Sequence, residues 1–179
     1  MTLAVRAATC DDWQGIWPII QEVAAAQETF AMDAAPDESA MRSAWMSVPP
    51  GRVVVAVDEG GHVVGTANMY PNRPNQGAHV ASGSLMVAAE HRGRGVGRVL
   101  VRDMIAWAHA EGFRGIQFNA VVASNAAAVR LYQSEGFRIV GAAPGAFIHP
   151  VRGPVDLLIM WRDLPCSGKR VAWTSQESC

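Results

Sequence analysis

Cysteine is scarce in this chain: Cys10, Cys166 and Cys179 are the only three among 179 residues, and none stands at CxxC spacing. That argues against a disulfide framework and against a zinc site, so no metal is expected. Long apolar runs are missing as well, falling far short of the roughly 20 residues that cross a bilayer. The first residues, Met1 to Cys10, lack a basic segment followed by an apolar stretch, so no secretory leader is read there and the expected location is cytoplasmic. A surplus of charge is absent too. Fifteen Lys and Arg against sixteen Asp and Glu leave a formal net charge of −1, which gives no global attraction to nucleic acid or anionic membrane, and neither is expected as a partner. What is there is apolar: half the residues are hydrophobic and 17% are charged, which excludes a disordered chain and suits a single packed domain. We place that domain at residues 1–165. The polar, aperiodic stretch 166–179 reads as a flexible tail.

Periodicity and turn chemistry divide the domain. Leu3 to Arg6 reads as a strand. Thr9 or Asp11 caps a helix through about Glu28, whose Trp13, Trp17, Ile20 and Val23 recur at helical spacing and read as a core stripe. Asp37 caps a second helix through Met46, ended by Pro49-Pro50-Gly51. Val53–Val57 and Val63–Met69 read as a hairpin around Asp58-Glu59-Gly60-Gly61, and the Pro- and Asn-rich stretch from Pro71 to Gly77 as an irregular loop. A strand from His79 to Val87 leads through a glycine-rich turn into a long helix that ends at Gly112. A strand from Gly115 to Val122, a helix capped by Ser124 or Asn125 and stopped at Gly136, and strands at Phe137–Val140 and Val155–Trp161 complete the order. The fold class is α/β: a mixed central sheet of about six to seven strands flanked by about four helices.

The turn His91-Arg92-Gly93-Arg94-Gly95-Val96-Gly97-Arg98 carries the first chemistry. Its glycines let main-chain N–H groups converge, and the helix behind it adds unpaired donors and the positive end of a dipole. Arg92, Arg94 and Arg98, with Arg102 one helical turn on, add charge. Together they read as a cradle for a diphosphate. A dinucleotide fingerprint needs GxGxxG after the first strand, and a phosphate-binding P-loop needs a closing Gly-Lys-Ser/Thr; neither is present. The remaining alternative is a plain helix start with surface arginines.

Two motifs taken together resemble the GNAT superfamily of acetyltransferases. Arg92-x-x-Gly95-x-Gly97 follows the strand Leu85-Met86-Val87 and precedes a helix. Asn125-x-x-Ala128-x-x-Leu131-Tyr132-x-x-x-Gly136-Phe137 comes next, after one further strand. The resemblance covers roughly residues 53–161. It implies acetyl-CoA as co-substrate, with the turn from Arg92 through Gly93, Arg94, Gly95, Val96 and Gly97 to Arg98 on its diphosphate. Leu85 and Val87 would pair with the pantetheine arm, and an amide near Met86 or Val87 would face the thioester carbonyl. Asn125 would contact pantetheine, cap its helix, or do both. Tyr132 resembles the family's general acid, which protonates the departing thiolate; as an alternative it packs its ring against the sheet.

One departure from the family pattern is that His79-Val80-Ala81-Ser82-Gly83-Ser84-Leu85-Met86 carries no carboxylate to act as base. Water held by Ser82, Ser84 or Asn119 is the alternative, and His79 is a weaker one. Asn119, a polar residue in an apolar strand, is expected to point into a polar cleft. Its surroundings resemble a GNAT subgroup that acetylates small amines, including toxic proline analogues. The chain is therefore expected to transfer acetyl directly to the primary or secondary amine of a small molecule. No Cys or Ser stands in a nucleophile motif, which agrees with direct attack. The acceptor would enter from the side formed by the first two helices and the loop from Tyr70 to His79, where Glu28, Asp33 and Asp37 are available to a cation. Acetylation of a protein N-terminus or lysine, and a CoA-binding sensor without catalysis, are the alternatives. A homodimer is expected through the apolar edge of the last strands.

Overall fold

The computed structural model describes residues 2–46 and 49–165, so the tail, with Cys166 and Cys179, lies outside the described residues. Seven strands form one mixed sheet: β1 (Ala4–Ala7), β2 (Arg52–Val57), β3 (Val63–Pro71), β4 (Val80–Val87), β5 (Gly115–Val122), β6 (Arg138–His149) and β7 (Gly153–Asp163). Their spatial order is β1-β2-β3-β4-β5-β7-β6. Four helices flank the sheet: α1 (Trp13–Ala26), α2 (Glu38–Trp45), α3 (Val96–Ala110) and α4 (Ala126–Ser134). Strand count, helix count and element order follow the sequence reading. No helix among the described residues is long and apolar enough to cross a membrane.

The alternation of β2 shows how the layers form. Val54 and Ala56 face one side and pack with Leu100, Met104 and Trp107 of α3; Val53, Val55 and Val57 face the other and pack with Ile16, Ile20 and Val23 of α1. A sheet buried on both faces needs such doubly apolar strands. The tryptophans of α1 belong to this core: Trp13 is buried and stacks on Trp17 at 5.9 Å, while its Nε1 donates to Glu38 of α2 at 2.8 Å. Asp37 caps α2 by accepting from the Ala40 amide at 2.8 Å. The start of α1 differs from the reading in detail. Thr9 precedes a short 3-10 turn at Cys10–Asp12, and Asp12 rather than Asp11 returns to the Thr9 amide, at 2.7 Å. That carboxylate also takes both arms of Arg6, and these bonds hold it well below the usual carboxylate range.

The last hairpin is the main correction. The sequence reading stops β6 at Val140 and starts β7 at Val155, whereas the two strands run on to a turn at residues 150–152. The missed stretch, Gly141-Ala142-Ala143-Pro144-Gly145-Ala146, has no alternation because β6 is an edge strand exposed on most of its length. A shift of register between Ala143 and Phe147 accommodates Pro144 and Gly145, as an edge permits.

Leu100 is fully buried where α3 meets the sheet. Leu100→Ala is expected to cost about 2–5 kcal/mol, lowering the thermal midpoint by roughly 5–15 °C; thermal denaturation followed by circular dichroism checks this.

Candidate active site

The two central parallel strands stay together for only two rungs. β4 pairs with β5 at Val80↔Gly115 and Ala81↔Ile116, and no ladder continues beyond them. β3 holds β4 throughout, from Pro71↔Ala81 to Gly65↔Val87. Meanwhile β5 stays with β7 and slips by one residue between Phe118 and Val121. Residues 82–87 therefore present an edge toward an opening wedge, where main-chain donors and acceptors look for partners. Gly83 allows this edge to sit where it does: a Cβ there would lie 2.4 Å from the Asn68 carbonyl oxygen and 2.7 Å from the Met104 methyl. The Asn68 side chain takes the Ser84 amide at 3.0 Å. Leu85 and Val87 pack toward the α3 layer, and Met86 is buried against the α1 layer.

At the end of β4 the chain enters the glycine turn. Gly93 (φ 74°) and Gly95 (φ 89°) are left-handed, and neither has an atom near the position of a Cβ. Gly95 caps α3 without a side chain. The amides of Gly93, Gly95, Val96 and Gly97 find no acceptor among the described residues, whereas Arg94 donates to His91. Four free N–H groups at the positive end of a fifteen-residue helix make an anion cradle. Gly97 also lets α4 approach: a Cβ there would meet Leu131 at 3.1 Å.

The arginines grouped together in the sequence part company in space. Arg98 and Arg102 both bind Glu135, and hydrogen bonds from Arg102 first and Arg98 next hold that carboxyl below its ordinary value. Arg92 donates to Glu22 at 3.1 Å and to the Val87 carbonyl at 3.4 Å. The guanidinium of Arg94 has no hydrogen-bond or ion-pair partner among the described residues and is the side chain left to meet an anion in the turn.

Asn125 caps α4, its Oδ1 accepting from the Ala128 amide at 3.2 Å, which leaves the Nδ2 group available. On the same helix the Tyr132 ring sits 4.5 Å from Phe118 and 5.9 Å from Phe137 between centroids. Its oxygen has no hydrogen-bond partner among the described residues, and burial pushes the phenol above its ordinary value. A phenol so placed keeps its proton throughout the neutral range and is suited to give it up only to a strong base.

At the apex of the wedge a polar cluster replaces the missing ladder. Asn119 Nδ2 donates to Asn72 at 2.7 Å and to the buried Ser82 hydroxyl at 3.4 Å, and Asn119 Oδ1 accepts from Gln117 at 2.8 Å. Asn119 is exposed rather than buried. His79 is exposed at the start of β4. Asn72 was legible only as part of an irregular loop, and nothing in the sequence marks Gln117 or Glu22. On the α1 side, residues Gln27 to Asp33 and Ala146 to Pro150 enclose an open cavity of about 710 Å³, with Phe30, Met32 and Phe147 on its walls. Asp33 lines it, while Asp37 is committed to capping α2.

The family model described as "Acetyltransferase (GNAT) family" matches residues 13–137. An L-methionine sulfoximine/L-methionine sulfone acetyltransferase of Pseudomonas aeruginosa is 30% identical over 148 residues, covering 80% of this chain and 85% of that protein. The N-acetyltransferase aca1 of Schizosaccharomyces pombe is 30% identical over 95 residues, covering 53% of this chain; the chain spans 46% of that protein's length. Among solved structures, a GCN5-related N-acetyltransferase from Kribbella flavida superposes with a TM-score of 0.88 at 55% identity, over 90% of this chain and 98% of that one. A phosphinothricin acetyltransferase from Sinorhizobium meliloti, solved with AcCoA, has the same fold, with a TM-score of 0.82 at 23% identity over 99% and 97% of the chains.

Since the Tyr132 oxygen is unbonded while its ring is clamped, Tyr132→Phe should change stability by no more than about 0.5 kcal/mol. Chemical denaturation of both proteins tests whether that hydroxyl has a structural partner after all.

Proposed function

Because the chain belongs to the GNAT acetyltransferase family, we propose that it transfers an acetyl group from acetyl-CoA directly to the primary or secondary amine of a small molecule. The observation that carries the reading is the coincidence of two sets of unsatisfied groups: the main-chain groups of β4 that face away from β3 beyond Ala81, and the four amides of the turn at 93–97. An amide-bearing arm ending in a diphosphate is complementary to both. In this reading Gly93, Gly95, Val96 and Gly97 hold the diphosphate. Arg94 adds charge directly, and Arg92 and Arg98 add it from behind. Leu85 and Val87 line the arm with their backbone, and Asn125 Nδ2 reaches it from α4.

Acetyl-CoA supplies an activated acyl group, and the residues of the chain do the rest. Met86 turns its main chain to β3, so of the two amides expected near the thioester it is that of Val87 that stabilises the charge building on the acyl oxygen during attack. Tyr132 delivers its proton to the thiolate as it leaves. On the opposite side, Ser82 and Asn119 hold the water that takes the proton of the incoming ammonium, whose ordinary pKa already leaves some amine free at neutral pH. The cavity between α1 and the β6–β7 hairpin admits the acceptor. An amino acid, amino-acid analogue or antibiotic-like amine is the class we favour, supported by a relative named for two amino-acid analogues. We place the enzyme in the cytoplasm. We also propose that it is a homodimer through the β6–β7 hairpin, where Ile139, Val140, Ile148 and Val151 are 44–85% exposed.

Titration calorimetry should show one acetyl-CoA per chain; no binding at millimolar concentration overturns the reading. Against a panel of amines and peptides, Tyr132→Phe should lose about 100-fold or more in kcat. The folded phenol titrates above its ordinary value of about 10, so the general acid stays protonated and kcat should not fall on the alkaline side below that pH. An alkaline loss near pH 8 would exclude Tyr132 as the acid. Light scattering at the mass of a single chain would remove the dimer.

A further inference from the structure

Helix α1 holds the phosphate turn from behind through one side chain. Glu22 Oε2 accepts the amide of Ala89 at 3.1 Å, and its Oε1 accepts from the Arg92 guanidinium at 3.1 Å. Arg92 in turn donates to the Val87 carbonyl at 3.4 Å. One carboxylate thus fixes the last residue of β4, the segment just after it and the first residue of the turn. The side chains of Glu22 and Arg92 are 40% and 51% exposed, so their ion pair alone is weak. Its weight comes from geometry. With the Arg92 guanidinium turned inward, the free amides from Gly93 to Gly97 are presented on a loop whose root cannot swing away.

The same helix reaches the other side of the site. Five residues after Glu22, about 7.5 Å along the axis, α1 ends at Gln27 in a left-handed cap. From there the chain forms one wall of the acceptor-side cavity through Asp33. Met86, next to the last residue of β4, is packed in the cluster of Trp13, Ile16 and Ile20 on this helix. A rigid element therefore touches the coenzyme turn with one residue and the acceptor cavity with its end.

We propose that Glu22 is a positioning residue that couples the two sites: it sets the phosphate turn through Ala89 and Arg92, and it transmits occupancy of that turn to the loop at residues 27–33. The inference rests on the acetyl-CoA reading. Ordering the turn orders the end of α1, and by reciprocity an occupied cavity strengthens the grip on the coenzyme.

Calorimetry with acetyl-CoA and amide hydrogen exchange test it together. Glu22 is half-exposed on a helix and alanine is a strong helix former, so Glu22→Ala keeps the fold. It should raise the acetyl-CoA Kd about threefold to tenfold, the scale of one partly exposed charge-assisted hydrogen bond. Glu22→Gln, which can still accept from Ala89, should recover part of that loss. Combining Glu22→Ala with Arg92→Ala should cost less than the two single losses added together, because both remove the same Glu22–Arg92 contact, while the Ala89 bond remains as an extra loss over Arg92→Ala alone. In the unaltered protein acetyl-CoA should slow exchange at residues 27–33, and Glu22→Ala should abolish that effect while the turn still responds. Binding of acetyl-CoA unchanged in Glu22→Ala, or protection of residues 27–33 that survives the substitution, would overturn the coupling and leave the coenzyme reading standing. Failure of the unaltered protein to bind acetyl-CoA would overturn the coenzyme reading itself, and the coupling with it.

Discussion

A strand held by one neighbour and released by the other must satisfy its outward amides in some other way. That is the condition of β4, which keeps β3 to its last residue and parts from β5 after Ala81↔Ile116. A bilateral ladder would have closed the sheet and left nothing for a ligand. The separation costs hydrogen bonds that the isolated chain does not replace. It persists because both strands are anchored elsewhere: β5 to β7 on its far side, and β4 to β3, with Asn68 taking the Ser84 amide. The Asn72–Asn119–Ser82 cluster spans the apex where the main-chain rungs end. The wedge is thus built into the packing and is present before any ligand arrives, so little reorganisation is needed on binding.

The side chains around the wedge divide according to what they can spare. Arg98 and Arg102 are committed to Glu135, and so brace α3 against α4. Tyr132 is the opposite case. Its ring is fixed by Phe118 and Phe137, its oxygen has no partner among the described residues, and burial keeps it protonated. In the proposed reaction this phenol donates to the sulfur as negative charge builds on it in the transition state, rather than to a free thiolate. No carboxylate stands on β4, so the proposed reaction assigns deprotonation of the acceptor to water held by the polar cluster of Ser82 and Asn119.

Much of this could be read from residues alone where local rules act. Gly93, Gly95, Gly112 and Gly136 all adopt positive φ, and each stands where a turn or helix end was read. Asn125 caps its helix as its position suggested. Illegible features depend on distant partners. The β6 edge has no periodic pattern because neither of its faces is consistently buried. Asn119 is exposed and bonded to Asn72 and Ser82, residues 47 and 37 positions away, so its surroundings are set by distant segments. Glu22 lies 70 residues from Arg92 on a helix with an ordinary amphipathic pattern, so nothing local marks it. The four arginines looked like one anion site because sequence proximity cannot show which of them a carboxylate from another helix has claimed.

The central claim is that free amides on the β4 edge and in the glycine turn receive one ligand. Amide-detected NMR of the labelled chain, titrated with acetyl-CoA, addresses it residue by residue. The account predicts large shifts at Gly93, Gly95, Val96 and Gly97 together with residues 82–87, saturating at a common concentration. Saturable shifts confined to other parts of the sheet, with these amides unmoved, would contradict it.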